Sequence, residues 1–277
     1  MTIIDELSLL GIVPVVAIDD PKRAAPLSDA LCNGGLTCAE VTFRTDAAEE
    51  AIRIMTAFHP DMIVGAGTVL TTDQADRAVA AGAKFIVSPG LNPNVVKHCI
   101  SRGYTIIPGC ATPSDIECAL SLGLDTVKFF PAEAAGGISM IKAMSAPYGK
   151  VRFMPTGGIN AANLNDYLSF PKVFACGGSW MVKKDLINNG DFDKITSLTR
   201  EAVATMLSLK IKSITGEFPV PPILSAILTQ SNGKEIVIST KYPERAAFHL
   251  SEQGLRFDGS FVSEDRFTGF RIRLVKE

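Results

Sequence analysis

A chain of 277 residues is long enough for one large barrel or two ordinary domains, and either buries a core that needs no disulfide or structural metal. Its 27 basic and 29 acidic side chains leave a formal charge of −2, so no overall field selects nucleic acid or an anionic membrane, although a local anion site is compatible with it. Six cysteines (Cys32, Cys38, Cys99, Cys110, Cys118 and Cys176) without a CxxC pair, and three histidines, argue against a disulfide scaffold or a zinc site, so no metal and no cofactor is expected.

The opening MTIIDELSLLGIVPVVAIDD has no basic region ahead of its apolar residues and gains acids at once, which argues against a secretory signal. No apolar run approaches the roughly 18 residues of a membrane span, and a soluble cytoplasmic protein is expected. From residue 12 to about 182, β-rich runs alternate with helical stretches. The strands read as IVPVVA (12–17), CAEVTF (38–43), MIVGAGT (62–68), KFIVSPG (84–90), YTIIPG (104–109), TVKFFPA (126–132), RFMPTGG (152–158) and KVFACGGS (172–179). Such alternation predicts parallel strands joined by crossover helices, because a tight hairpin cannot join parallel neighbours. Eight units predict an α/β protein built as a closed (β/α)8 TIM barrel rather than an open doubly wound sheet. Thr72, Pro113, Ser114 and Asp115 sit where helix caps and first turns belong, while Gly82, Gly103 and Gly123 supply left-handed helix ends.

FDKITSLTREAVATMLSLK reads as a last helix covering the barrel. The composition then shifts at SITGEFPVPPILSA, where Pro219, Pro221 and Pro222 interrupt regular structure. The expected division is a barrel over residues 1–208 and a small α+β extension over 209–277. The extension offers an extended GKEIVIST, a helix YPERAAFHLSEQG, and two alternating strands in LRFDGSFVSEDRF and TGFRIRLVKE, with Asp265 to Thr268 as their connection.

Lys128 is the sharpest residue. In TVKFFPAE it lies in an otherwise apolar strand, where Thr126, Lys128 and Phe130 share one face and Val127 and Phe129 the other. A lysine facing the barrel interior must be desolvated, which favours a neutral amine or a nearby carboxylate. A neutral amine attacks a ketone, and the resulting iminium is an electron sink for carbon–carbon cleavage. The structural alternative is a lysine paired with a buried acid. In AEVTFRT, Glu40, Thr42 and Arg44 alternate, so one face presents an acid, a hydroxyl and a guanidinium. Arg44 suits a substrate carboxylate and Glu40 suits proton transfer, against the plainer reading of an internal Glu40–Arg44 ion pair.

The other strand ends are polar and glycine-rich: Thr68, Ser88, Thr156 and Ser179, with Gly157, Gly158, Gly177 and Gly178 permitting close backbone approach. Ser179 is read as the start of a short helix through SWMV, and amides there suit phosphate, which barrels often hold after their last two strands. Pro89, Pro108, Pro131 and Pro155 turn the chain out of the barrel. Phe130 is either core or a cover for the pyruvoyl part of a keto acid, and Glu133 either a second acid or a solvated or helix-capping carboxylate. His59, His98 and His249 read as surface or helix-end residues, and Trp180 as packing.

In order, EVTFRT, GAGTV, SPG, IPG-CATPS, VKFFPAEA, PTGGI and ACGGSW resemble the 2-dehydro-3-deoxy-phosphogluconate aldolase family, including its bifunctional members that also cleave 4-hydroxy-2-oxoglutarate. The resemblance spans roughly residues 5 to 205. It implies a class I, metal-independent lyase acting on a keto-deoxy sugar acid phosphate in the Entner–Doudoroff pathway, assembled as a homotrimer, with neither nucleic acid nor membrane as partner. It further implies that Lys128 forms the Schiff base and Glu40 is the acid/base. Arg44, Thr68, Pro89, Phe130 and Thr156 would bind substrate, and Gly157, Gly158, Gly178 and Ser179 the phosphate. The alternatives are an aldolase for the phosphorylated galactonate epimer and a non-catalytic sugar-phosphate-binding barrel. The extension departs from the family pattern and faintly resembles a fragment of a glyoxalase-like module.

Overall fold

Runs of Val, Ile and Phe flanked by turn residues form short parallel strands, and the amphipathic stretches between them form helices. The structure is a computed structural model that describes residues 1–217, 232–264 and 271–277. Among these residues it comprises two compact units, Met1–Met206 and Leu207–Glu277.

In the first unit α1 (Ile3–Leu10) leads into β1 (Ile12–Val16), α2 (Ala24–Asn33), β2 (Cys38–Thr42), α3 (Ala48–Phe58), β3 (Ile63–Gly67), α4 (Thr72–Ala80), β4 (Phe85–Val87), α5 (Pro93–Ser101) and β5 (Ile106–Ile107). It continues through β6 (Gly109–Cys110), α6 (Pro113–Ser121), β7 (Thr126–Phe129), α7 (Gly137–Ser145), β8 (Arg152–Pro155), α8 (Leu164–Leu168), β9 (Cys176–Gly178), α9 (Lys184–Asn189) and α10 (Phe192–Leu207). The strands pair in parallel, as a curled sheet ordered β5-β4-β3-β2-β1-β9 and a second sheet ordered β6-β7-β8.

The strand pairing therefore differs from one uninterrupted eight-stranded ladder. The predicted strand 104–109 is split at Pro108, which has no N–H to give the ladder, although its carbonyl still accepts the Lys128 amide at 2.9 Å. The predicted strand 172–179 shrinks to β9, with isolated parallel bridges Phe153–Val173 and Thr156–Gly177 beside it. Ile12, Val13, Val41, Val64, Ile86, Val127 and Phe153 are fully buried, so the strands read as continuous apolar runs, as sheets covered on both faces do.

Helix starts follow the capping chemistry with a shift of one residue at the first. Thr71, not Thr72, is the N-cap of α4, accepting from the Gln74 amide while Gln74 reaches back. Thr112 and Asp115 form the same box at α6, with Pro113 in the first turn. Gly82, Gly103 and Gly123 all have positive φ, as their place after a helix requires.

The second unit contains β10 (Lys210–Glu217), β11 (Asn232–Thr240), α11 (Pro243–Ser251), β12 (Val262–Glu264) and β13 (Arg271–Lys276), in a sheet ordered β10-β11-β13-β12. β11 runs antiparallel to β10 and parallel to β13. In RIRLVK, Ile272 and Leu274 are buried and Arg271 and Arg273 exposed, the alternation of a sheet with one covered face. β10 is an additional strand lying where the sequence showed only a shift of composition. Pro219, Pro221 and Pro222, and the connection over Asp265 to Thr268, lie outside the described residues.

Candidate active site

Alternation in β2 and β7 aims one charged residue from each strand at the other. Val127 and Phe129 are fully buried on either side of Lys128, which is itself 5% exposed, and Glu40 is fully buried in the middle of β2. Lys128 Nζ lies 3.1 Å from Glu40 Oε1. Room for the carboxylate comes from β3: a Cβ on Gly67 would stand 2.2 Å from Glu40 Oε1. Of the two pairings weighed from sequence, Glu40 takes Lys128 and not Arg44. A buried ion pair is weak as a stabilising device, because its desolvation offsets most of its attraction. Glu40 Oε2 makes no hydrogen bond among the described residues, which leaves this oxygen open to a reacting proton.

A cavity of about 500 Å³ is lined by Arg44, Phe130, Thr156, Gly157, Gly158, Gly178 and Ser179, among others; Lys128 and Glu40 are not in its lining, and Phe130 is its link to them. The Phe130 ring centroid is 5.5 Å from Lys128 Nζ, so this half-buried ring links the amine to the cavity wall. Gly177 makes room for Thr156 in the lining, since a Cβ there would meet Thr156 Oγ1 at 2.3 Å. That buried hydroxyl has no partner among the described residues. The exposed Arg44 supplies positive charge, and the Gly157–Gly158 turn, with φ of 100° and 83°, supplies bare backbone. The cavity offers charge and bare backbone to an anion, and the Phe130 ring in its wall stands over the amine that would meet a carbonyl carbon.

Other sites read from the sequence stand differently. Thr68 and Pro89 follow β3 and β4 but do not line this cavity. Ser179 begins no helix: it accepts one turn bond from Val182 at 3.1 Å, and α9 starts only at Lys184. The Thr42 hydroxyl is spent on the Val16 carbonyl at 2.9 Å, so a ligand does not receive it. Ser88 likewise donates to the Gly90 carbonyl at 2.8 Å. Glu133 accepts a hydrogen bond from Tyr167. His59 and His98 pair with Asp29 and Asp76, each at 2.8 Å, on the outer helices. Lys183, Lys184 and Asp185 also line the cavity; their sequence signal is a KKD run shortly after GGSW. Lys184 is also bound to Asp19 at 2.9 Å. Cys110, on β6 beside the lysine strand, has its thiol pushed up to about 12 by burial and then by Asp115, so it is no nucleophile near neutral pH. Among the described residues no group of three or more His, Cys, Asp or Glu could hold a metal ion, and no helix is long and apolar enough to cross a membrane.

A family model described as "Aldolase: KDPG and KHG aldolase" matches residues 3–198. The 2-dehydro-3-deoxy-phosphogluconate aldolase of Haemophilus influenzae is 50% identical over 201 residues, covering 73% of this chain and 95% of the relative. That of Treponema pallidum is 50% identical over 203 residues, covering 73% and 97%. Among solved structures, the KDPG aldolase from Legionella pneumophila, with pyruvate captured as a covalent carbinolamine, superposes with a TM-score of 0.70 at 40% identity, covering 73% of this chain and 98% of that one.

Proposed function

We infer the reaction from one premise, that the chain belongs to the KDPG and KHG aldolase family. It is an aldolase of the Schiff-base class. Its substrate is 2-dehydro-3-deoxy-6-phosphogluconate, cleaved to pyruvate and glyceraldehyde 3-phosphate, and 4-hydroxy-2-oxoglutarate is cleaved to pyruvate and glyoxylate by the same bond change.

The observation that carries the site assignment is the buried Lys128–Glu40 contact of 3.1 Å beside an anion-suited cavity. Passing a proton from Lys128 to Glu40 frees the amine lone pair, which attacks C2 of the substrate. Glu40 returns that proton to the carbinolamine hydroxyl, restoring the carboxylate, and the hydroxyl leaves as water to give an iminium. Glu40 removes the C4 hydroxyl proton, directly or through one water; the C3–C4 bond breaks, its electrons enter the iminium, and the aldehyde departs. Protonation of the enamine carbon and hydrolysis release pyruvate and restore the amine. Arg44 grips the substrate carboxylate, Phe130 covers the pyruvoyl part, and Thr156 positions a polar group or water. Gly157, Gly158, Gly178 and Ser179 meet the phosphate, with Lys183 adding charge at the rim. Thr68 and Pro89 are assigned to substrate only as strand-end residues after β3 and β4, outside the lining of the cavity.

The two parallel sheets are read as arcs of one closed (β/α)8 barrel. The Phe153–Val173 and Thr156–Gly177 bridges support closure at one seam, and chain continuity through Pro108 supports it at the other. The reading extends to a cytoplasmic homotrimer in the Entner–Doudoroff pathway, and to residues 209–277 as an extension that contributes nothing to the aldol step. Incubation with pyruvate and borohydride, followed by peptide mapping, tests the site: a pyruvate-derived secondary amine is expected on Lys128. A folded sample that turns substrate over with no adduct there overturns the assignment.

A further inference from the structure

The loop after the lysine strand is stitched to the turn after β8 by contacts that the aldol step does not use. Ala132 and Glu133 donate their backbone N–H groups to the carbonyls of Thr156 at 2.8 Å and Gly157 at 3.1 Å. The Glu133 carboxylate accepts a hydrogen bond from the Tyr167 hydroxyl. The Glu133 methylene packs on Gly158, where an added Cβ would stand 2.5 Å from Glu133 Cγ. Tyr167, on α8, is 1% exposed, and burial first, then Glu133, push its phenol up and keep the hydroxyl protonated as a donor. On the far side of the turn, the side-chain amides of Asn160 and Asn163 both donate to the Gly158 carbonyl at 3.1 Å.

Two consecutive glycines are the most freely rotating pair a chain can carry, yet an anion bound by backbone needs that backbone fixed in advance. Here the turn's two carbonyls are tied from opposite sides, by Glu133 and by the asparagines, where Gly157 and Gly158 line the cavity. The contact also accounts for a carboxylate beside a proposed anion site, since Glu133 turns its methylene to Gly158 and one oxygen to Tyr167.

The geometry points to Glu133 and Tyr167 as positioning residues that set the phosphate end of the cavity and so determine the preference for phosphorylated over unphosphorylated substrate, a role that rests on the aldolase reading above. The test compares Tyr167→Phe, Glu133→Ala and Glu133→Gln with the parent enzyme. It reads kcat and KM for 2-dehydro-3-deoxy-6-phosphogluconate and for 4-hydroxy-2-oxoglutarate, together with competitive inhibition by inorganic phosphate. In Tyr167→Phe and Glu133→Ala the ratio of the two kcat/KM values falls about tenfold through the KM of the phosphorylated substrate, and phosphate inhibits about tenfold more weakly, the factor expected for one lost hydrogen bond to a charged group. Glu133→Gln, whose amide oxygen still accepts from Tyr167, restores both readings. Trapping of pyruvate on Lys128 in every variant verifies a folded amine site independently of phosphate. Equal losses on both substrates, an unmoved ratio, or a Glu133→Gln enzyme as impaired as Glu133→Ala overturns the role. If the parent enzyme itself forms no adduct and cleaves neither substrate, the aldolase reading falls and this role with it.

Discussion

Two pairs of buried polar residues, one in each unit, are held in opposite ways. In the second, Ser239 and Thr240 are fully buried, and each hydroxyl is given to a backbone carbonyl: Ser239 to Lys210 at 3.3 Å, Thr240 to Leu207 at 2.7 Å. In the first, two opposite charges are buried against each other, and Glu40 Oε2 and Thr156 Oγ1 are left without a protein partner among the described residues. Saturated polar groups hold a fold, whereas unsaturated ones cost stability and persist where a ligand or reacting proton completes them. By that criterion Glu40 and Thr156, which stand at or beside the cavity, are candidates for chemistry, while Ser239 and Thr240 are structural.

The contrast breaks most visibly at the amine. Lys128→Ala removes the proposed nucleophile and leaves Glu40 buried and unpaired, so cleavage falls by more than about 10⁴-fold and stability by about 3–5 kcal/mol. Single-turnover kinetics and urea unfolding read the two effects, and residual activity near the parent level defeats the assignment. Glu40→Gln keeps the shape and loses the base; a drop of about 10²–10⁴-fold in kcat is expected, with the protein still folded by circular dichroism. Gly67→Ala pushes a methyl into Glu40 Oε1, so the pair is displaced, with a loss of about 1–3 kcal/mol and a lower kcat; unchanged kinetics would show that the carboxylate has room to move.

The second unit sharpens the contrast from the other side. Thr240→Val leaves the Leu207 carbonyl without its buried donor and costs about 1 kcal/mol in urea unfolding, while kcat and KM stay at parent values. The last effect appears only at high pH and concerns the thiols of Cys32 and Cys99, both pushed up to about 11, chiefly by burial, from an ordinary 9.0. Their raised values mean that the fold prefers the protonated form. Their contribution is thus complete below pH 9 and is lost as pH rises from 9 to 11. Denaturant midpoints measured across that window should decline less steeply in a Cys32→Ala, Cys99→Ala double variant than in the parent.

Much of this was legible before any coordinates. Lys128 stood out because a charged residue interrupts an apolar strand, and period-two alternation placed Glu40 on the same kind of face. Alternation does not give a partner, however, so the choice between Lys128 and Arg44 for Glu40 needed the curl of the sheet. The split at Pro108 is legible in the proline's missing N–H, although a proline at a strand end equally suits an exit turn. β10 was hidden because KIKSITGE alternates only weakly and the prolines after it drew attention to a linker. Tyr167 carried no sequence signal, since one aromatic on an amphipathic helix reads as core; its hydroxyl matters only because α8 brings it to Glu133.

Thr68 sits at φ 56°, a left-handed conformation that a β-branched side chain adopts only under constraint. Glycine would relax that backbone by about 1–2 kcal/mol, offset in part by a freer unfolded chain. A sequence free to drift toward robustness would drop the hydroxyl and the methyl together. A threonine held in this conformation makes position 68 a place to look for a trade between durability and turnover: a Thr68→Gly enzyme that tolerates heat no worse than the parent yet works more slowly.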